Sequence, residues 1–236
     1  MFQAHVPHHD TGGFRSHRKF LPDKEYGDAL DALVKGVSDM LLVHPVGGRI
    51  LLGKRKVQPQ PDWWFTGGRI FPGETPAQSC CRLLKRELSL DIAPERFETV
   101  CSQSLAWAMR EQDPKENGTT DIQVALSLQL TEDEVGKVVL DPKEYADSQW
   151  IEPAAVVAGD FHPALKFAVR SLLAVRKLRE LQRALSAQPA CSDAEVAALA
   201  REFCALSADT TPPAGVSEYR VVAAALDYEC EVAVTL

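Results

Sequence analysis

Residues 67–90 read Gly67-Gly-Arg-Ile-Phe-Pro-Gly-Glu-Thr-Pro-Ala-Gln-Ser-Cys-Cys-Arg-Leu-Leu-Lys-Arg-Glu-Leu-Ser-Leu90, and this stretch carries most of the chemistry legible in the chain. A glycine pair feeding a helix puts backbone polar groups near the helix N-terminus, where anionic groups are favoured. Thr75 is a good N-cap, Pro76 occupies N1 without losing a donor, and Gln78 at N3 completes a capping box. The helix opened in this way is expected to run to about Leu88, with Cys80, Cys81, Leu84 and Leu88 on its apolar face. Positions 83, 86 and 87 are three and four apart, so their side chains share a face. They are Leu83, Arg86 and Glu87, which leaves that face one carboxylate. Glu74 and Arg82 are expected to pair and tie the loop to the helix. Asp39 lies inside the apolar run 36–43, where an unpartnered carboxylate is costly, so it must meet a polar network or a ligand.

Periodicity and turn residues define the elements that position these groups. Residues 26–35 read as a short helix with Ala29, Leu30, Leu33 and Val34 on one stripe. A buried strand over 36–43, the turn Pro45-Val-Gly-Gly48 and a second strand over 49–55 form a hairpin. Residues 57–62 are a loop, and Trp63-Trp-Phe-Thr66 is a short aromatic strand. Strands follow over 99–109 and 121–130, separated by the polar loop 110–118, and then a short strand over 149–151. His162-Pro163 starts a long helix to about Ser186, and residues 192–206 form another. A Pro-rich linker leads to a tail that alternates Tyr228, Cys230, Val232, Val234 and Leu236 with Glu229 and Glu231, which is strand-like. The mixture implies an α/β or α+β domain over 25–186, with an arm over 1–24 and an extension over 187–236.

Composition narrows the function classes. The chain has 236 residues and a formal net charge of −7, which argues against a general nucleic-acid binder. No apolar run approaches the ~18 residues of a membrane-spanning helix, so no membrane segment is expected. The six cysteines show no disulfide-framework spacing and no C-x2-C pair, in keeping with buried thiols in a reducing compartment. The N-terminal region lacks an apolar signal core, so a cytoplasmic protein is expected, with organelle targeting as the alternative. The arm holds His5, His8 and His9 with Asp10 as the one acid up to Phe20 and no cysteine, a weak metal set. The helix 163–186 carries Lys166, Arg170, Arg176, Lys177, Arg179 and Arg183 against Glu180. It is either a solvated face or a docking face for an acidic partner or a second copy.

The 67–90 stretch resembles the Nudix box, G-x5-E-x7-R-E-U-x-E-E-x-G-U with U apolar. Gly68, Glu74 and Arg82 fall at the first three required positions, and Leu84, Glu87 and Leu90 match three of the later ones. Upstream, Ile50-Leu-Leu-Gly-Lys-Arg55 and Trp64-Phe65 resemble the family's lead-in; downstream, Glu144-Tyr-Ala-Asp-Ser-Gln-Trp150 resembles its E-x5-W element. The resemblance implies a Nudix fold, a mixed β-sheet sandwiched between helices, and hydrolysis of a nucleoside diphosphate derivative. It implies Mg2+, with Mn2+ as a substitute, held by Glu87, Glu144 and the Gly68 carbonyl. Glu144 would act as ligand or base, its alternative being an ordinary loop carboxylate. Within the superfamily, Arg82-Leu83, Leu52-Gly-Lys-Arg55 and Gly67-Gly-Arg69 are similar to the GDP-mannose mannosyl hydrolases. By that likeness Arg55 and Arg69 would clamp the diphosphate, and Asp39 would lie near a sugar nucleotide.

The chain also departs from the pattern. Leu83 and Arg86 replace two helix glutamates, Ser89 replaces a glycine, and Glu144-Tyr145 stands where the mannosyl hydrolases have Gln-His. Two functions are therefore open. One is a magnesium-dependent hydrolase of a nucleoside diphosphate linked to another moiety, a nucleotide sugar first. The other is a catalytically silent Nudix module that binds nucleotide or serves as an assembly subunit.

Overall fold

The computed structural model describes residues 5–187, 191–208, 216–224 and 227–234; the expected Pro-rich linker and Leu236 lie outside them. The chain divides into two compact units, one ending at Glu152 and one starting at Pro153. The expected domain over 25–186 extends across that division.

The first unit begins with α1 (Asp23–Ala32) and β1 (Lys35–Val43). Helix α1 ends earlier than its apolar stripe suggests. Leu33 turns to extended backbone (φ −134°, ψ 144°), and Leu33 and Val34 are exposed, leaving Leu30 as the buried contact. These two residues carry the chain into β1 instead of extending the helix.

Next come β2 (Ile50–Arg55), β3 (Trp63–Trp64), β4 (Thr66–Arg69), α2 (Pro76–Leu88), β5 (Glu98–Trp107), β6 (Thr119–Gln129), the one-turn α3 (Glu132–Val135) and β7 (Tyr145–Ile151). The single strand expected at 63–66 is two, because Trp63–Trp64 pairs with β2 while Thr66–Arg69 crosses to pair with β1. Strand β7 begins four residues before its expected start, since Asp147 to Gln149 hydrogen-bond along β2 although their side chains are exposed. The seven strands make one sheet of order β3-β2-β1-β6-β5, with β4 also on β1 and β7 on β2. Only β1 and β6 are parallel, with Lys35 opposite Asp121 and Val37 opposite Gln123.

Period-two alternation gives β1 two different faces. Met40 and Leu42 pack with Cys80, Leu83, Leu84 and Leu88 of α2 and with Leu126, Leu128 and Phe97 to form the core. Val37 and Asp39 face the opposite side. Helix α2 has the expected capping box: the Gln78 N–H donates to Thr75 Oγ1 (3.1 Å) and the Thr75 N–H to Gln78 Oε1 (2.9 Å). It ends on Ser89 in left-handed backbone (φ 54°).

The second unit holds α4 (Pro153–Ala158), α5 (Pro163–Ser186), α6 (Asp193–Ala208) and the antiparallel pair β8 (Val216–Ala224) and β9 (Asp227–Val234). His162 caps α5, its Nδ1 accepting from the Ala164 N–H at 3.1 Å. Some of the helix's basic charge is consumed internally: Lys177 pairs with Glu180 and Glu202, each at 2.8 Å, and Lys166 donates to the Gly159 carbonyl. Among the described residues, no helix is long and apolar enough to cross a membrane.

Candidate functional site

The loop between β4 and α2 is tied down by charge. Arg82 donates from Nε to Glu74 Oε1 (2.6 Å) and from Nη2 to Glu74 Oε2 (2.8 Å), to the Arg69 carbonyl (2.9 Å) and to Ser79 Oγ (3.0 Å). Glu74 also accepts the Phe71 N–H at 2.9 Å. Partial burial works against ionising Glu74, but the Arg82 and Phe71 hydrogen bonds outweigh it and hold its carboxyl below the usual range. The Phe71 ring has the Arg82 guanidinium 3.7 Å from its centroid and that of Arg18, from the N-terminal arm, at 3.5 Å. The arm thus reaches the box loop.

The three positions on the shared helix face have separate fates. Leu83 is buried beneath Gly68, where a Cβ would stand 3.3 Å from Leu83 Cδ2. Arg86 is exposed and forms an ion pair with Glu87, whose side chain is only 10% exposed. Burial raises the Glu87 pKa, and the nearby Glu144 charge pushes the same way, while Arg86 and Arg55 oppose it. Tyr145 belongs to this group: burial, then Glu87 and Glu144, drive its phenol upward, so it stays protonated at neutral pH. Its ring crosses β2 at Gly53, where a Cβ would meet Tyr145 Cδ1 at 2.4 Å. Among the described residues, no group of three His, Cys, Asp or Glu side chains is arranged to hold a metal. The oxygen donors near one another are the Glu87 and Glu144 carboxylates.

A cavity of about 270 Å³ opens on the sheet face opposite α2, and Asp39, Arg55, Gly68, Arg69 and Glu144 all line it. Glu87 is not among its lining residues. Arg55 Nη2 lies 3.5 Å from the Gln58 carbonyl, and the Arg69 guanidinium is 4.9 Å from the Tyr26 ring centroid. Burial raises Asp39 to a pKa of about 7, against hydrogen bonds from Gln123 Nε2 and Trp64 and the charge of Arg55.

Sequence reasoning missed Gln123, Gln103, Asp121 and Trp107. Gln103 Nε2 donates to Gln123 Oε1 at 2.5 Å, extending the Asp39 network over three strands, β1, β6 and β5. Asp121 accepts from Trp107 Nε1 at 2.8 Å and pairs with Lys35 at 3.1 Å. A signal was present: Thr119, Asp121 and Gln123 alternate along β6 as buried polar residues before the strand becomes apolar at Leu126 and Leu128.

The sequence pattern of the NUDIX domain matches residues 35–172, more than half of the chain. The chain belongs to the Nudix family. That family acts on small nucleotide derivatives, and its hydrolases generally use a divalent metal. The MutT NUDIX hydrolase of Burkholderia pseudomallei superposes with a TM-score of 0.48 at 20% identity, covering 59% of this chain and 98% of that one. The E. coli ORF135 protein gives 0.45 at 21% identity over 62% and 94%. The C. elegans Ap4A hydrolase gives 0.42 at 17% identity over 61% and 99%. In sequence, the low-salt glycan biosynthesis protein Agl8 of Haloferax volcanii is 36% identical over 76 residues. That stretch is 32% of this chain and about half (47%) of Agl8. The Nudix match, like the expected domain, extends past Glu152.

Proposed function

We propose that this Nudix domain hydrolyses a nucleoside diphosphate linked to a second moiety, with nucleotide sugars as the substrate class. The observation that carries the reading is that Arg55, Arg69, Gly68, Glu144 and Asp39, which come from four separate segments, line one cavity. Two guanidiniums there suit a diphosphate, which they bind in bidentate fashion. The Asp39–Gln123 pair in the cavity lining suits a polar, uncharged group. The glycan-biosynthesis role in the name of Agl8 supports a sugar-linked substrate.

The metal question turns on Glu87 and Glu144. Glu87 and Glu144 lie close enough for the Glu144 charge to help raise the Glu87 pKa, which is the donor chemistry a hard cation takes, and with the Gly68 carbonyl they would hold one Mg2+ or Mn2+. They do not fit a multi-metal cluster, given Leu83 in the core and Arg86 in place of a carboxylate. When bound, the cation neutralises diphosphate charge and makes water more acidic. The chain's own groups do the rest. Arg55 and Arg69 orient the diphosphate, and Glu144 accepts a proton from the attacking water. Tyr145, a protonated phenol, is no base, so attack falls at phosphorus and not at the sugar carbon.

A second reading, a silent module that binds nucleotide without turnover, draws on one observation: the helix carboxylate Glu87 is already ion-paired to Arg86. A turnover screen in Mg2+ and Mn2+ over nucleotide sugars, dinucleoside polyphosphates, ADP-ribose and NADH separates the two. Turnover of a nucleotide sugar in heavy-oxygen water with label in a product phosphate supports the proposal. Label on the anomeric hydroxyl overturns attack at phosphorus. Nucleotide binding without hydrolysis of any substrate establishes the silent module.

A further inference from the structure

A second cavity of about 390 Å³ lies beside the first, and the two share Leu30, Trp107 and Thr119. No box residue lines it. Its polar lining is Asp31 from α1, Asn117 from the loop before β6, and Thr119 and Thr120 of β6.

These groups are held in place. The Trp107 indole is fixed by its bond to Asp121 and meets Trp64 edge-on, with centroids 5.6 Å apart at 77°. Arg110 is 2% exposed and donates to Asp31 Oδ1 from Nη1 (2.5 Å) and to Oδ2 from Nη2 (3.3 Å). Asn117 Nδ2 adds a bond to Oδ2 at 3.0 Å. Hydrogen bonds from Arg110 and then Asn117 hold the Asp31 carboxyl below the usual range. Three donors leave this carboxylate one unused acceptor site, on Oδ1, and its side chain is 40% exposed. Thr119 is 6% exposed and its Oγ1 has no hydrogen-bond partner. A buried unmatched hydroxyl is costly.

We infer that the second cavity is the subsite for a neutral sugar ring, the moiety attached to the diphosphate held next door. A pyranose offers what this lining lacks: a hydroxyl donor for the Asp31 carboxylate, acceptors for Asn117 and the threonine hydroxyls, and an apolar C–H face for the indole. A second phosphate is disfavoured by the Asp31 charge. Trp107 is the one aromatic ring in this lining, so a nucleobase finds no slot between two rings here. The inference rests on the nucleotide-sugar reading above, but it concerns residues that reading does not use.

The test uses the full chain and the variant Ala106→Phe, which adds bulk at an exposed position on the cavity wall. Calorimetry compares GDP with GDP-mannose. Wild type is expected to bind the sugar nucleotide about ten-fold tighter, and Ala106→Phe to abolish that difference while leaving GDP affinity unchanged. Weakening of GDP itself by the variant, or no effect on either ligand, overturns the inference. A second arm needs no diphosphate. Fluorine NMR of 5-fluorotryptophan protein, with the Trp107 signal assigned by Trp107→Phe, is titrated with free mannose, glucose and N-acetylglucosamine. A saturable shift of the Trp107 signal that Ala106→Phe removes supports the subsite, even if GDP fails to bind and the proposed function falls. GDP binding with no Trp107 shift from any sugar overturns the subsite and leaves the proposed function standing.

Discussion

Gly67 lies flat against Asp39: a Cβ on Gly67 would sit 1.8 Å from Asp39 Oδ1, and 2.6 Å from both the Asp39 Cα and the Ser38 carbonyl oxygen. Two of those three atoms are backbone, so no rotamer change relieves the clash. Strand β4 approaches β1 this closely only because residue 67 has no side chain. Gly67→Ala is therefore expected to cost about 3 kcal/mol or more and to open the cavity wall. The neighbouring Gly68 would meet only the Leu83 side chain, at 3.3 and 3.7 Å, so Gly68→Ala is expected to cost about 1 kcal/mol. Urea midpoints of the two variants check the contrast, and equal losses would contradict it.

Asp39 makes the fold's stability depend on pH. Its native pKa is raised to about 7, whereas an unfolded Asp titrates near ~3.9. Between these values the native state keeps a proton that the unfolded chain has released. The contribution is fully present below about pH 4 and is lost as pH rises to about 7. Asp39→Asn is an uncharged near-isostere and removes this dependence. Wild-type stability relative to Asp39→Asn should fall by as much as about 4 kcal/mol between pH 4 and pH 7. Parallel denaturation series at several pH values measure the difference, and a flat difference would refute it.

What the sequence made legible was local. The capping box of α2 reads directly from Thr75, Pro76 and Gln78, because all its partners lie within one turn. The Glu74–Arg82 pair follows from an anchored loop meeting that helix. Asp39 announced its need for a partner by interrupting an apolar strand. The partner was not legible, because Gln123 lies 84 positions away and reaches Asp39 only through the parallel β1–β6 pairing. The same limit hid Asp121 and Trp107, whose roles depend on which strands become neighbours. The end of α1 was misread for the opposite reason. Leu33 and Val34 satisfy a helical stripe by type, yet they lie where the chain has already straightened toward β1.

Ser89 offers a stabilising change. It ends α2 in left-handed backbone (φ 54°), with its N–H and that of Leu90 both directed at the Leu84 carbonyl. A non-glycine residue pays about 1 kcal/mol or more for this conformation, and glycine is the usual occupant. Ser89→Gly is expected to raise stability by about 0.5–1 kcal/mol, after its greater unfolded-state freedom is deducted. A higher thermal midpoint with unchanged nucleotide affinity is the expected reading.

Arg86 is positioned to compete with a cation for Glu87. Its guanidinium forms an ion pair with that carboxylate from an exposed position, while Glu87 itself is nearly buried. That contact occupies Glu87 Oε1, and its positive charge opposes a divalent ion bound by Glu87 and Glu144. Arg86→Gln removes the competing charge but keeps helix propensity and most of the side-chain length. Without Arg86, the repulsion between Glu87 and Glu144 is less compensated and the pair attracts a cation more strongly. Mg2+ affinity, titrated in the presence of a nucleoside diphosphate, is therefore expected to rise roughly three- to ten-fold in Arg86→Gln. Glu87→Gln should lower it by at least that much, and Arg86→Gln/Glu87→Gln should match Glu87→Gln alone, because Arg86 acts through Glu87. A double variant that still shows the Arg86→Gln gain would place the cation away from Glu87. An Arg86→Gln variant that binds Mg2+ more weakly would show that the guanidinium serves the phosphate instead.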